Sequence, residues 1–214
     1  MRGMDFTMGL KSFSWMNDIH IDVLREIANI GSGNAASSLS RMLGHTVDIS
    51  IPDIGIRGFN EAYEVLGGAE AVMVGTLLMM SGGINGMMMF LMPIDIVCDL
   101  VNMLMFTDIK SYEEIDEMGY SVINEVSNIM SASFVSAIAG MTDFQIDISP
   151  PEAALDMLGS IMSVPSIYFA KMSDSLLLIQ NEMMIEGKKA KVNVLLLPDL
   201  PSLEKLMTSL GIEI

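Results

Sequence analysis

Aligned with itself at an offset of 99 residues, the chain repeats. Asp22-Val-Leu-Arg-Glu26-Ile-Ala-Asn29-Ile lies over Ser121-Val-Ile-Asn-Glu125-Val-Ser-Asn128-Ile, with glutamate, asparagine and the intervening apolar positions in register. The same offset, ungapped, lays Asp48-Ile-Ser-Ile-Pro52 over Asp147-Ile-Ser-Pro-Pro151. A duplication of this kind fixes the architecture more than any single element does, because whatever the first half forms the second must form again. Later in each half a strand-like run ends in proline before a helix-like pattern, MMMFLMP-IDIVCDLVNML and VNVLLLP-DLPSLEKLM. There the offset, from Pro93 to Pro198, is 105. The six extra residues are assigned to the hairpin around Gly187-Lys-Lys, which interrupts two apolar runs.

Each half reads as a helix, a short strand, two longer strands joined by a turn, and a closing helix. In the first, Ala71 to Met80 and Met87 to Met92 flank Ser81-Gly-Gly-Ile-Asn-Gly86, the residue types a hairpin turn needs. The expected class is α+β, a pseudo-twofold duplicated repeat with a shared antiparallel sheet flanked by helices. No low-complexity linker separates the halves. The expected organisation is therefore an N-terminal extension, residues 1–15, followed by a single domain over 16–214 made of repeats 16–110 and 111–214. The acidic Glu113-Glu-Ile-Asp-Glu117 reads as the solvated first turn of the second repeat's helix, where negative charge suits the helix dipole.

With 11 basic against 27 acidic residues and a net charge of −16, the chain repels nucleic-acid phosphates and anionic membrane surfaces alike. Its apolar runs are too short to span a bilayer, and the start, MRGMDFTMGLKSF, has no apolar signal core. The expectation is an unprocessed cytoplasmic protein with no membrane insertion, whose 23 methionines fill an adaptable core. The single cysteine, Cys98, sits in an apolar periodic stretch and reads as a small buried hydrophobe.

On a helix, residues three and four apart share a face. Asp22, Glu26 and Asn29 then form one line of polar side chains, and Ser121, Glu125 and Asn128 its counterpart. Val23, Ile27 and Ile30, with Val122, Val126 and Ile129, are expected to make the adjacent core face. Each Glu/Asn pair is thereby left rigid but open to solvent. A lone Glu-x-x-Asn arises by chance at roughly one position in four hundred and carries nothing by itself. Two copies in register, each followed after 22 residues by a proline (Pro52 and Pro151), carry a good deal more.

Two rival motifs fail on context. Gly31-Ser-Gly33-Asn-Ala-Ala36 matches the dinucleotide fingerprint, but it follows helical spacing rather than a strand, and its glycines align with Met130 and Ala132. His20 and His45 have no partners at metal-ligand spacing. His20 reads as an exposed or capping residue ahead of the helix, and His45 as a turn residue.

The doubled pattern, Asp or Ser, three residues, Glu, two residues, Asn, twenty-two residues, Pro, resembles that of the CheC/CheX/FliY family of chemotaxis phosphatases. The two-motif, single-domain arrangement is most similar to its CheC branch. The resemblance covers nearly the whole chain and implies a hydrolase acting on the aspartyl phosphate of a CheY-type response regulator. It implies no cofactor of the chain's own, the Mg²⁺ being carried by the regulator. It also implies roles: Glu26 and Glu125, which by residue type could act as weak bases or pair with a lysine of the regulator, anchor that lysine, and Asn29 and Asn128 orient the attacking water. Asp22 and Ser121 read as helix-face support or local hydrogen bonders, and Pro52 and Pro151 as residues that shape strand ends. It admits a CheD-type receptor deamidase as a further partner. The alternative is a non-catalytic adaptor or flagellar-switch-like protein that binds a regulator or such a deamidase, since components such as FliM resemble the fold but lack the motif. Intact Glu and Asn in both repeats favour the enzyme.

Overall fold

The computed structural model describes residues 13–169 and 175–213. Residues 1–12 of the expected extension lie outside them. Two 26-residue helices dominate, α1 (Asp18–Leu43) and α4 (Glu117–Thr142). Asn17 caps α1 by accepting from the backbone N–H groups of Ile19 and His20, and Asp116 caps α4 by accepting from that of Gly119. Both helices end in a left-handed residue, Gly44 at φ 70° and Asp143 at φ 58°. Their first and last residues are 99 positions apart, so the offset read from the motif holds over the entire helix. Only Asp116 and Glu117 of the acidic stretch lie at the start of α4. Tyr112–Glu114 form a separate 3-10 turn ahead of it, with Ile115 tucked into the core.

After α1 come β1 (Val47–Gly58), α2 (Phe59–Val65), β2 (Val72–Gly82), β3 (Gly86–Pro93) and α3 (Ile94–Met105). After α4 come β4 (Ile146–Ile148), β5 (Glu152–Met157), α5 (Leu158–Phe169), β6 (Ser175–Ile185), β7 (Lys188–Pro198) and α6 (Leu200–Ser209). All strands join one antiparallel sheet in the order β1-β6-β7-β3-β2-β4, with β5 also on β2. The expected shared sheet is present, and it is interlocked. The first strand of each repeat pairs with the hairpin of the other, β1 with β6 and β4/β5 with β2, so the pseudo-twofold axis runs between β3 and β7.

This pairing relocates the extra residues of the second repeat. Val47 pairs with Ile185 where its counterpart Ile146 pairs with Gly82, and Gly58 pairs with Ser175 where Met157 pairs with Val72. The offset has therefore grown from 99 to 103 before β6 begins. Four of the six residues lie between the end of β5 and the start of β6, the stretch that includes α5, with 12 residues where α2 has 7, and not in the Gly187 hairpin.

The sheet is covered on both faces, which explains why its central strands show no polar alternation. Along β3, Met88, Phe90 and Met92 join the larger core beneath α1, α3, α4 and α6. Met87, Met89 and Leu91 join a second core with Leu66 of the α2 segment and with Leu158 and Met162 of α5. The methionine run is core on both sides, as expected. The helices α2 and α5 were not expected, and the first strand is not short: β1 has 12 residues and α2 follows it directly. Among the described residues α4 alone has the length and hydropathy of a membrane span. Its apolar side chains, Ile123, Val126, Met130, Phe134 and Ile138, are consumed by the core.

Candidate active site

Packing sets how α1 and α4 present their polar faces. The buried positions are Leu24, Ile27, Ala28, Gly31 and Ala35 on α1, and Ile123, Val126, Met130 and Phe134 on α4. The expected core face is thus displaced by about one position. Val23 is half-buried, and Ile30 is 37% exposed. The reason is the crossing of the two helices, where a Cβ on Gly31 would stand 3.1 Å from the Phe134 Cα. Below the helices, Ser127 donates to Thr76 Oγ1 at 3.0 Å and Ser32 donates to Asn181 Oδ1 at 3.1 Å, both pairs buried. These bonds fix each helix against the sheet.

On the outer side, Asp22, Glu26 and Asn29 are exposed along α1, and Ser121, Glu125 and Asn128 are exposed along α4. The structure gathers the second set with its proline. Ser121, Asn124, Glu125 and Asn128 form one wall of an open groove whose other wall is the β4–β5 connection, Ile148 to Pro151. That connection is tied to the sheet edge by Ser149, whose hydroxyl accepts from Met79 N–H at 3.0 Å and whose own N–H donates to the Met79 carbonyl at 2.9 Å. Pro151 separates β4 from β5, and Pro52 lies within β1 at the matching irregularity, where the register against β6 shifts between Ser50 and Asp53. A proline cannot donate to the ladder, so each strand breaks step there. The Pro52 side chain lies outside the described residues. Its motif partners share the exposed face of α1, where Asp22 Oδ1 faces Arg25 Nε at 3.9 Å. Ser121 hydrogen-bonds back to the Glu117 carbonyl at 3.0 Å, a local bond of the kind expected for it.

Asn124 is the residue on the helix wall of the groove that the motif did not single out. Its Oδ1 is buried and accepts no hydrogen bond. The available signal was the contrast with Arg25 at the equivalent position.

The remaining candidates fall into structural roles. His20 lies inside the first turn of α1, not ahead of it, and is buried rather than exposed. It completes a capping box with Asn17, sets Nε2 3.1 Å from the Glu213 carbonyl and meets the Trp15 ring edge-on. His45 is exposed beside Glu186, with 2.7 Å between Nδ1 and Oε1. Gly31 and Gly33 lie mid-helix, so no phosphate-binding turn exists there. Cys98 is buried and free; burial first, and the neighbouring Asp99 next, push its thiol pKa up. Among the described residues no three His, Cys, Asp or Glu side chains gather as a metal site.

The chain matches the CheC-like family over residues 19–56 and 118–154, two segments that contain both motifs with their prolines. It is 30% identical over 205 residues to the CheY-P phosphatase CheC of Bacillus subtilis (strain 168), covering 93% of this chain and 97% of that protein. Among solved structures it superposes on Thermotoga maritima FliY with a TM-score of 0.75 at 22% identity, over 92% of this chain and 98% of that one. It superposes on the FliM middle domain of H. pylori with a TM-score of 0.66 at 11% identity, over 91% and 99%. At such identities these two likenesses speak for the fold alone.

Proposed function

The chain belongs to the CheC-like family, and on that premise we propose that it is a cytoplasmic phosphatase that hydrolyses the aspartyl phosphate of a CheY-type response regulator in chemotaxis signalling. One observation carries the reading. Both copies of the motif are complete, and Glu26, Asn29, Glu125 and Asn128 are all exposed on helices whose opposite faces are locked in the core. A rigid helix with a projecting carboxamide and carboxylate is what such a reaction asks of a protein. Phosphoryl transfer from an acyl phosphate needs positioning and electrostatics far more than covalent help.

In this reading the regulator brings its phosphorylated aspartate and Mg²⁺ to the outer face of α1 or α4. Asn29 or Asn128, donor and acceptor in one group, holds the attacking water in line. Glu26 or Glu125 pairs with a lysine of the regulator and fixes the pose. A CheD-type receptor deamidase remains a further proposed partner.

Phosphate release from a phosphorylated CheY-type regulator, measured with and without the chain, tests the proposal. Acceleration is expected. Binding without acceleration would favour the adaptor reading.

A further inference from the structure

We infer that Asn124 is a regulator-binding residue of the second site, and that Arg25 in its place makes the first site the weaker of the two. The inference rests on the proposed phosphatase reading for the identity of the partner. Three observations lead to it. Asn124 lines the same groove as Glu125 and Asn128, one residue ahead of the glutamate. Its Oδ1 is buried without a hydrogen-bond donor, although buried side-chain oxygens are nearly always satisfied within the fold. At the equivalent position of the first repeat the side chain is a cation, and Arg25 is engaged with Asp22 at 3.9 Å instead of being unmatched.

An amide that the fold leaves unpartnered beside the groove's carboxylate has a use in a complex. The terminal torsion of asparagine is broad and roughly twofold, so a turn about it presents either end of the amide to the groove. A lysine ammonium anchored by Glu125 has three N–H donors and needs more than one acceptor. Asn124 Oδ1 is the neighbouring acceptor without a donor of its own. At the first site the same ammonium would approach Glu26 with Arg25 alongside, a like charge that repels it and that already draws on the acidic face through Asp22. Structural asparagines hold loops or caps together through their amide. Asn124 does neither through its oxygen, so replacing it should leave stability intact or raise it.

The test uses two single-site forms of the full chain, E26A/N29A with only the second site and E125A/N128A with only the first. The probe is a CheY-type regulator loaded with Mg²⁺ and beryllofluoride, titrated to give Kd. In the second-site form, Asn124→Ala should weaken binding about tenfold, the order expected for one hydrogen bond to a charged group, and Asn124→Arg should weaken it further. In the first-site form, Arg25→Asn should tighten binding several-fold. Thermal midpoints should stay level or rise in the Asn124 variants. Unchanged Kd in both Asn124 variants, or a weaker Kd that only follows a fallen midpoint, overturns the inference. So does a loss of binding at the first site on Arg25→Asn. Failure of the phosphatase reading looks different: the unmodified chain would not accelerate phosphate release. If the Kd shifts still appear, Asn124 is a docking residue of an adaptor and the inference stands. If the regulator does not bind at all, both readings fall together.

Discussion

Gly31 and Gly33 are neighbours on one helix turn with opposite consequences for stability. At Gly33 an added Cβ meets nothing within 4 Å, so Gly33→Ala gains only the helix propensity, about 0.8–1.0 kcal/mol. That corresponds to a rise in thermal midpoint of roughly 2–4 °C for a chain of this size. At Gly31 the Cβ would stand 3.1 Å from the Phe134 backbone and ring. Phe134 would have to give by a few tenths of an ångström, and because its backbone as well as its ring stands in the way, overpacking at about 1–3 kcal/mol should outweigh the better propensity, so that Gly31→Ala lowers the midpoint. Calorimetry on the two variants checks both signs. Gly31 is therefore a close-approach residue, and only Gly33 loosens α1 in the way a helical glycine does by itself. The motif residues obey a different arithmetic. Asn29 and Asn128 are exposed and bear on partners rather than on the core. Asn29→Ala with Asn128→Ala should abolish phosphatase activity while stability stays within about 0.5 kcal/mol of the unmodified chain and the midpoint is nearly unchanged. Residual activity in that double variant would remove the water-positioning role.

Each motif helix is fastened by a buried polar bond, and the two fastenings are not equivalent. Under α4, Ser127 reaches Thr76 of β2, whereas its counterpart under α1 is Ala28, and the tie there comes one turn later from Ser32 to Asn181 of β6. Thr76 and Ser127 are fully buried. Ser127→Ala should therefore cost about 1–3 kcal/mol by stranding the threonine hydroxyl, while Ser127→Ala with Thr76→Val should come back close to neutral. Urea denaturation of the two singles and the double gives the coupling directly, and additive losses would mean that the bond does not hold the helix. At this scale the sequence was informative where elements are long. The two 26-residue helices declared themselves by periodicity, and β3 and β7 by apolar runs ending in proline. What escaped was short or locally contradictory. The seven-residue α2 has too few turns to show a period, and α5 carries Pro165 inside it and apolar residues all round. Pro52 read as the end of a short strand because a proline breaks the ladder, yet β1 absorbs the break as a shift of register and continues to Gly58.

A repeat visible in sequence announces two similar halves but not which half pairs with which, since strand exchange leaves the order of elements along the chain unchanged. That is why the shared sheet was legible and the interlocking was not. The interlocking governs how the molecule can fold. Among the described strands β1 pairs only with β6, β4 and β5 pair only with β2, and β3 meets β7 at the pseudo-twofold axis. A fragment of residues 1–110 would keep the β2–β3 hairpin and leave β1 without a neighbour, and a fragment of 111–214 would keep only β6–β7. A two-stranded hairpin is marginal in water, and neither fragment holds a sheet broad enough to cover its long amphipathic helix. Each fragment alone should therefore lack a cooperative unfolding transition as a monomer. The routes left open are pairing with a second copy of itself across the β3 or β7 edge, or pairing with the other fragment. Mixing the two should restore a single sharp transition in urea, together with a 1:1 complex in sedimentation. Mass action then makes the midpoint depend on concentration, a dependence the intact chain, with its halves tethered, should not show. A monomeric 1–110 fragment that unfolds cooperatively would mean that the helix and its hairpin suffice, and that the exchanged strands are additions to two self-sufficient halves.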